Sequence, residues 1–175
     1  MVKKSEVYYP QWVKKNPIGF LVQREVEKLF TIDQTRIYFY PMLYNNSELS
    51  DSMTINIIQK ELDKLDYSNI LAISSLGHKY GLPNNFDHGY NTYYRVTLLM
   101  LHSMSQEMNI KRVWVVLFPF LEQAYFDGKI SYTFFYHYDK CLLKAIGYQY
   151  YGTMNDDVPN IDPENLKERK NKYSL

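Results

Sequence analysis

The chain has 175 residues, of which 46% are hydrophobic and 22% charged, so it has enough apolar surface for one folded domain and is too apolar for global disorder. Its 20 basic and 19 acidic residues nearly balance, which argues against binding of nucleic-acid backbone by bulk electrostatics. A single cysteine, Cys141, excludes an internal disulfide and a multi-cysteine zinc site. Aromatic residues make up an unusual 17%, and 18 of them are tyrosines, which combine an apolar ring with a hydrogen-bonding tip.

The N-terminal residues 1–17 are polar, aromatic and interrupted by proline, so they predict an arm without regular structure. Their basic start is not followed by an apolar run of secretory length, which indicates no signal peptide and, by default, a cytoplasmic location. A leader that had been removed would leave no trace here. The longest apolar stretch, residues 113–121, contains Pro119 and is too short to span a bilayer, so no membrane span is predicted.

Apolar residues recur at intervals of three and four over residues 18–30, which predicts an amphipathic helix with one buried face. Residues 31–44 form a second, aromatic-rich helical candidate. Pro41 is expected to kink or end that second helix, because proline has no N–H and blocks the preceding turn.

Two further helices are predicted beyond an Asn-Asn-Ser turn, one over residues 53–65 and one that runs to residue 78. Asp66 or Ser68 is the expected N-cap of the later helix, since both side chains can accept a hydrogen bond from free helix N–H groups. Gly81 is typical of the residue that follows a helix.

The C-terminal half begins with a strongly apolar segment, residues 93–108, and continues with helical spacing over residues 106–126. Pro119 predicts a kink or a boundary within this helix. A buried strand over residues 112–118 is the rival interpretation, because β-branched valines cluster there. Residues 131–146 predict a last core helix.

The sequence therefore predicts an all-α fold, with a single-domain bundle of six or seven helices over residues 18–154. No segment shows the period-two alternation of strands, and Gly147 is expected to end the last core helix. Residues 155–175 carry five acidic and four basic residues and few large apolar ones, which predicts a surface tail.

Familiar catalytic motifs are missing from the chain, because it contains no glycine-rich phosphate loop, HExxH, GxSxG or EF-hand loop. This absence argues against the common NTPases, zinc proteases and α/β-hydrolases. A divalent metal site built from His78, Asp87, His88 and one further ligand is conceivable, but their spacing matches no metal motif. Solvated loop histidines are the favoured interpretation, so no metal is predicted, and the cofactor, if any, is unknown from the sequence.

His102 and Asp139 stand out because each is a polar residue among apolar neighbours. His102 is either a core histidine with a hydrogen-bond partner or the polar lining of a pocket. Asp139 shares a helical face with Phe135, so its carboxylate must be paired, and Arg36 or Arg95 is the candidate partner. The alternatives for Asp139 are a buried ion pair that fixes helix register and a carboxylate that acts as an acid, base or ligand contact.

Residues 148–153 place an amide, three phenols and a glycine directly after the last core helix. This segment either lines the mouth of a pocket or clamps the tail to the bundle. Gly152 is expected to adopt a backbone conformation closed to other residues. Earlier in the chain, Asp33 and Arg36 are three residues apart and are expected to meet on one helical face.

A series of short motifs occurs along residues 30–170. They are Asp33-Gln34-Thr35-Arg36, Asp66-Tyr67-Ser68-Asn69, Gly81-Leu82-Pro83, Leu101-His102, Asp139-Lys140, Gln149-Tyr150-Tyr151-Gly152-Thr153, Asp162-Pro163 and Arg169-Lys170. In this order the motifs resemble a bacterial family of uncharacterised all-helical proteins, a domain of unknown function, although Lys140 stands where that family has arginine. The resemblance implies an α-helical domain and no established activity. It also implies a polar cluster of Gln34, Arg36, Asp66, Asn69, His102, Asp139 and Gln149.

Three functions are compatible with these residues. The first is a helical domain with a polar pocket that binds an unknown small molecule or acts as an enzyme. The second is a protein-protein interaction module that uses a Tyr-rich surface, with Tyr8, Tyr9 and Trp12 as anchors. The third is a purely architectural polar cluster. For the pocket, the predicted catalytic residues are His102 and Asp139, and the predicted ligand-binding residues are Gln34, Arg36, Asp66, Asn69, Gln149 and Tyr151.

Overall fold

The structure is a computed structural model that describes residues 11–36, 52–104 and 107–175. Within these ranges it contains helices and no strand beyond an isolated bridge between Gln149 and Asn160, so the predicted all-α fold class is confirmed. Residues 11–15 form a short helical segment, whereas an arm without regular structure was predicted there. The longer elements that follow are α1 (Pro17–Gln34), α2 (Ser52–Tyr80), α3 (Asn85–His88), α4 (Thr92–Ser103), α5 (Glu107–Phe126), α6 (Thr133–Ile146) and α7 (Leu166–Tyr173).

The chain forms two compact units, residues 1–96 and residues 97–175, and the boundary between them lies within α4. We call them the N-terminal unit and the C-terminal unit. The predicted limits of the arm, the helical domain and the tail stay a prediction.

The N-terminal unit is built on the packing of α1 against α2 and α3. Val22 and Val26 of α1 and Ile70 and Ile73 of α2 are fully buried, as expected when apolar residues recur at helical spacing. Gly19 allows the close approach of α3, because a Cβ atom at this position would collide with the backbone carbonyl of Asp87.

Two boundaries in this unit differ from the predicted ones. Residues 52–80 form one continuous helix, so neither Asp66 nor Ser68 is an N-cap. The Ser68 hydroxyl instead donates to the Leu65 carbonyl at 2.8 Å, a local bond that a helix interior accommodates. Residues 31–34 belong to α1, and the rest of the predicted 31–44 helix lies largely outside the described residues. Gly81 does follow the helix as predicted, with φ at +78°.

The C-terminal unit is built on the packing of α5 against α6, with Leu117, Leu121, Phe134 and Phe135 fully buried. The helical prediction for residues 112–118 is confirmed, and the strand alternative is wrong. Side-chain burial along one helical face outweighs the modest strand preference of the valines.

Pro119 was expected to kink or end α5, and Gly147 was expected to end α6. Pro119 lies inside α5 and does not end it. Because proline has no N–H, the carbonyl of Val115 lacks its helical partner there. Gly147 ends α6 as predicted, in the left-handed conformation with φ at +78°, and its N–H donates to the Leu143 carbonyl at 3.0 Å.

The C-terminal segment is more structured than its composition suggests. Residues 166–173 form α7, which buries Tyr173 and Arg169, whereas a surface tail was predicted. One aromatic ring and one arginine with fixed partners are enough to attach a short polar helix to a core. Composition averaged over 21 residues does not reveal such an attachment.

Candidate functional site

A buried ionic cluster in the N-terminal unit joins the end of α1 to the middle of α2. The Arg36 guanidinium donates to the carboxylates of both Asp33 and Asp66, and its Nε donates to the Asp33 carbonyl at 3.1 Å. The predicted contact of Asp33 with Arg36 is confirmed. Gln34 joins the cluster, because its amide donates to the Asp33 carboxylate at 3.1 Å. The structure thus brings together three predicted ligand-binding residues: Gln34, Arg36 and Asp66.

Asn69 lies one helical turn after Asp66 on α2 and is only 2% exposed. Its side-chain Nδ2 has no hydrogen-bond partner within the described ranges. Buried amides without a partner are rare and are commonly satisfied by an internal water. Because Asn69 is three residues from Asp66, it lies on the face of α2 that bears this ionic cluster.

The carboxylate of Asp139 is fully buried in the C-terminal unit, on α6. One oxygen accepts the backbone N–H groups of Tyr150 and Tyr151 at 2.7 and 2.9 Å. The other accepts the N–H and the hydroxyl of Thr153 at 3.0 and 2.7 Å. Four donors match the acceptor capacity of a carboxylate, so Asp139 fixes the loop after α6.

The expected pairing of Asp139 with an arginine is therefore wrong. Arg36 binds the two aspartates of the N-terminal unit, and Arg95 donates to Glu27 at 3.0 Å. Among the described residues, Asp139 has no counter-ion, and backbone N–H groups compensate its buried charge, as they do for anions at helix N-termini.

Gln149 organises the same loop with both ends of its side-chain amide. Its Nε2 donates to the carbonyls of Asn155 and Val158, at 3.2 and 2.8 Å, and its Oε1 accepts the N–H of Met154 at 3.0 Å. The buried Gln149 side chain therefore closes residues 149–158 into a defined loop. These contacts give the segment the predicted role of a clamp, and its residues Tyr150 and Tyr151 also line the two cavities described below.

Arg169 of α7 completes the clamp and was not among the predicted site residues. Its guanidinium lies over the Tyr150 ring at 4.0 Å and donates to the Tyr150 carbonyl at 3.1 Å. It also donates to the Asp162 carboxylate and to Asn160. Hydrogen bonds from Asn165 and Arg169 lower the pKa of Asp162 below its usual range. The Asp-Pro and Arg-Lys pairs in the sequence were the available signal for these contacts.

Gly152 marks the closest approach of this loop to α7. Its φ is +72°, and a Cβ atom here would lie 2.6 Å from Cε of Lys170 and 2.9 Å from Cδ1 of Leu166. The prediction of a backbone conformation closed to other residues is confirmed.

An aromatic cluster lies beneath the loop. Trp114 of α5 stacks on Tyr138 with ring centroids 4.1 Å apart, and its indole N–H donates to the Tyr151 hydroxyl at 3.3 Å. The centroid of the Phe135 ring lies 4.5 Å from the ring centroids of both Tyr151 and Tyr173. Burial raises the pKa of Tyr138 to about 12 and also raises the pKa of Tyr151. Both phenols therefore stay neutral near physiological pH.

The aromatic cluster forms the floor of a cavity of about 710 Å³, which we call the aromatic groove. α5 supplies one wall, α6 the other, and the loop closes one end. Its rim residues Val115 and Ile161 are 64% and 48% exposed. The groove is lined by residues that include Trp114, Phe118, Tyr138, Leu142, Tyr150 and Tyr151.

A second, smaller cavity of about 340 Å³ shares Phe118, Tyr150 and Tyr151 with the aromatic groove. Beyond these shared rings its lining carries charges of both signs, with Asp162, Glu168, Arg169 and Lys172 among its residues. The lining is therefore mainly apolar in the aromatic groove and mainly polar and charged in the smaller cavity.

Of the predicted site residues, only Tyr151 lines the aromatic groove. Asp139 and Gln149 hold the loop and line neither of these two cavities, and His102 is half-buried on α4 and also lines neither. Their catalytic and ligand-binding roles stay a prediction. Periodicity had assigned Trp114 and Tyr138 to the core, and which edge of that core remains open depends on where the loop ends.

His78 and His88 were both expected to be solvated, and the structure confirms this only for His78. His88 is buried rather than solvated, and its Nδ1 accepts the N–H of Asn84 at 3.2 Å. His78 is exposed, as expected. No group of three or more metal-ligating side chains comes together in residues 11–36, 52–104 and 107–175.

Comparisons with protein-family models, with curated proteins and with solved structures found no match for this chain. The resemblance to a bacterial domain family therefore stays a prediction that rests on the order of its motifs. Among the helices that the structure describes, none combines the length and the apolar character needed to cross a membrane.

Proposed function

We propose that the C-terminal unit is a ligand-binding module and that the aromatic groove is its binding site. The observation that carries this proposal is a cavity of about 710 Å³ lined by five aromatic rings and several aliphatic side chains. Sites for small molecules typically have volumes of about 300–1,000 Å³, an apolar lining and a few placed polar groups.

Binding without catalysis is the function that the polar groups favour. The acceptor capacity of Asp139 is filled by the loop, and both ends of the Gln149 amide are also occupied. The raised pKa of Tyr138 keeps its hydroxyl protonated, so this group offers a hydrogen bond rather than a base at neutral pH. The groove thus provides contact area and orientation.

A fluorescent neutral probe, phenylnaphthylamine, tests the proposal. We expect the native protein to bind it, and Val115→Asp or Ile161→Asp to weaken binding by about tenfold, because each places a charge at the apolar rim. Leu71→Asp is the matched control, since Leu71 is also an exposed aliphatic residue and does not line the groove. Equal binding by all variants, with unchanged circular dichroism, would contradict the proposal.

A protein-interaction surface in the N-terminal unit is the second candidate. Phe86, Tyr90 and Tyr94 each expose more than half of their side chains, and Tyr90 reaches 81%. Exposed aromatic residues are enriched at interfaces. Of the anchors predicted from the sequence, Trp12 lies against Gly19 and Gly89, while Tyr8 and Tyr9 lie outside the described residues.

Sedimentation velocity tests this second candidate for self-association. If the three exposed rings form an interface between copies, the native chain sediments faster at high concentration and a Tyr90→Ser variant does not. A native chain that sediments as a monomer at every concentration would count against it.

The bacterial domain family is proposed on one structural ground. Its quoted motifs build the two polar networks, with Asp33, Arg36 and Asp66 in one and Asp139 and Arg169 in the other. A solved structure of a family member with these contacts would support membership, and a different fold would overturn it.

A further inference from the structure

We infer that the aromatic groove selects a ligand with an apolar body and one anionic end, and that Lys111 binds the anionic end. The inference rests on the groove being the binding site, as proposed above.

Charge in the groove is confined to one side chain. Of the residues that line it, Lys111 alone carries a charge, and no carboxylate is among them. Lys111 is exposed on α5, three residues before Trp114 and four before Val115, so the three share one helical face. The ammonium group therefore lies at the edge of an apolar wall.

The ammonium group of Lys111 has no ion pair and no hydrogen bond to any residue that the structure describes. Other lysines do have such partners: Lys28 pairs with Glu25 and Lys64 with Glu61, both at 2.6 Å. A cation without a partner beside a low-dielectric surface attracts an anion more strongly than a cation in open water does.

The opposite end of the groove carries charges of both signs. Beyond Phe118 the smaller cavity is lined by Asp162 and Glu168 and by Arg169 and Lys172. Arg169 already pairs with Asp162 and Lys172 with Glu122, so an anionic ligand there would have to compete with these carboxylates. Along α5, Lys111 and Phe118 are seven residues apart, or about 10 Å at the helical rise. A ligand of that length fits with its anion at Lys111 and its apolar body over the aromatic floor.

Two pairs of probes separate the effect of charge from the effect of apolar contact. Anilinonaphthalene sulfonate and neutral phenylnaphthylamine have closely similar ring systems, and decanoate and decanol compete with them as an aliphatic pair. The sulfonate and the carboxylate also show whether binding depends on the kind of anionic group. Lys111→Gln is the test variant. Lys144→Gln is its control, because Lys144 is exposed on α6 and does not line the groove.

We expect Lys111→Gln to weaken binding of the sulfonate and of decanoate by about two- to fivefold at low salt, because an exposed ion pair contributes up to about 1 kcal/mol. Binding of phenylnaphthylamine and decanol should not change, and Lys144→Gln should behave as the native protein. Added salt should reduce the difference between native protein and variant.

Three outcomes would overturn the inference. If Lys111→Gln leaves the sulfonate and decanoate unaffected, or weakens charged and neutral probes alike, Lys111 does not read the anion while the groove remains a binding site. If the native protein binds none of the four probes, the proposed function fails together with the inference.

Discussion

The two units bury carboxylates in opposite ways. In the N-terminal unit, Asp33 and Asp66 face the guanidinium of Arg36, so their charge is met by a counter-charge that follows the end of α1. In the C-terminal unit, Asp139 faces three backbone N–H groups and a hydroxyl, so its charge is met by dipoles of a loop. Both arrangements satisfy a buried anion, but the first joins helix to helix and the second joins helix to loop.

Burial among apolar neighbours therefore does not by itself mark an aspartate of this chain as catalytic. A carboxylate among apolar neighbours suggested catalysis at Asp139, yet its acceptor capacity is fully used for architecture. The cavity of the C-terminal unit lies beside the loop that Asp139 holds and is lined by aromatic rings. The following variants test each arrangement, beginning with the most destabilising.

Removing the counter-charge should have the largest effect. Arg36→Met leaves Asp33 and Asp66 buried without their cation, which we expect to lower the free energy of unfolding by about 3–5 kcal/mol. Urea denaturation measures this change. Lys28→Met removes an exposed pair and should change stability by less than about 0.5 kcal/mol. A loss below 1 kcal/mol for Arg36→Met would mean that the counter-charge contributes little to stability.

Removing the negative charge of Asp139, which holds the loop after α6, should have a smaller effect on stability. Asp139→Asn turns one acceptor oxygen into an NH₂ group that faces an existing donor, so we expect a loss of about 2–3 kcal/mol. Hydrogen exchange at the amides of Tyr150, Tyr151 and Thr153 should accelerate. Asp156→Asn, an exposed loop acid, is the control. Unchanged exchange at these three amides would show that Asp139 does not hold the loop.

A pair of glycine substitutions isolates the contact between the loop and α7. Gly152 and Gly128 have similar φ values of +72° and +69°, but only Gly152 has atoms near its Cβ position. Alanine at either site should cost about 1–2 kcal/mol for the left-handed backbone. Gly152→Ala should cost more because of Lys170 and Leu166, and it should expose α7 to protease. Equal urea midpoints for the two variants would argue against a close contact.

The smallest effect concerns alkaline pH. The folded chain keeps the Tyr138 proton up to its pKa of about 12, while the unfolded chain loses it near 10. Stability from this group is therefore complete below pH 10 and is lost as the pH rises towards 12. Tyr138→Phe should make this decline shallower, as followed by circular dichroism, although buried Tyr151 still contributes to it. A decline as steep as in the native protein would show that Tyr138 does not take part.

Helical periodicity was sufficient to predict the all-α class, and local rules were sufficient for Gly147 and for the pairing of Asp33 with Arg36. These features depend on residues a few positions apart. The long α2 was missed because Asp66 is equally suited to a cap and to an ion pair, and its partner is 30 residues away. The partners of Asp139 were missed because backbone N–H groups have no signature in a sequence.

The aromatic groove could be predicted only in part. Trp114 and Tyr138 belong to helical core faces in the sequence, and the structure buries both. Whether a core face is closed or open depends on how far the loop after α6 reaches across it. That reach depends on Gln149, Asp139 and Arg169 together, and helical periodicity does not reveal such a network.

Pro119 makes α5 less stable than its core contacts alone would allow. The backbone carbonyl of Val115 has no N–H partner four residues later, so α5 lacks one of its helical hydrogen bonds. A proline inside a helix costs about 3 kcal/mol relative to alanine, and Pro119 is exposed, so its ring does not fill the core. Pro119→Ala should therefore raise the free energy of unfolding, as measured by urea denaturation, without altering any side chain that lines the groove.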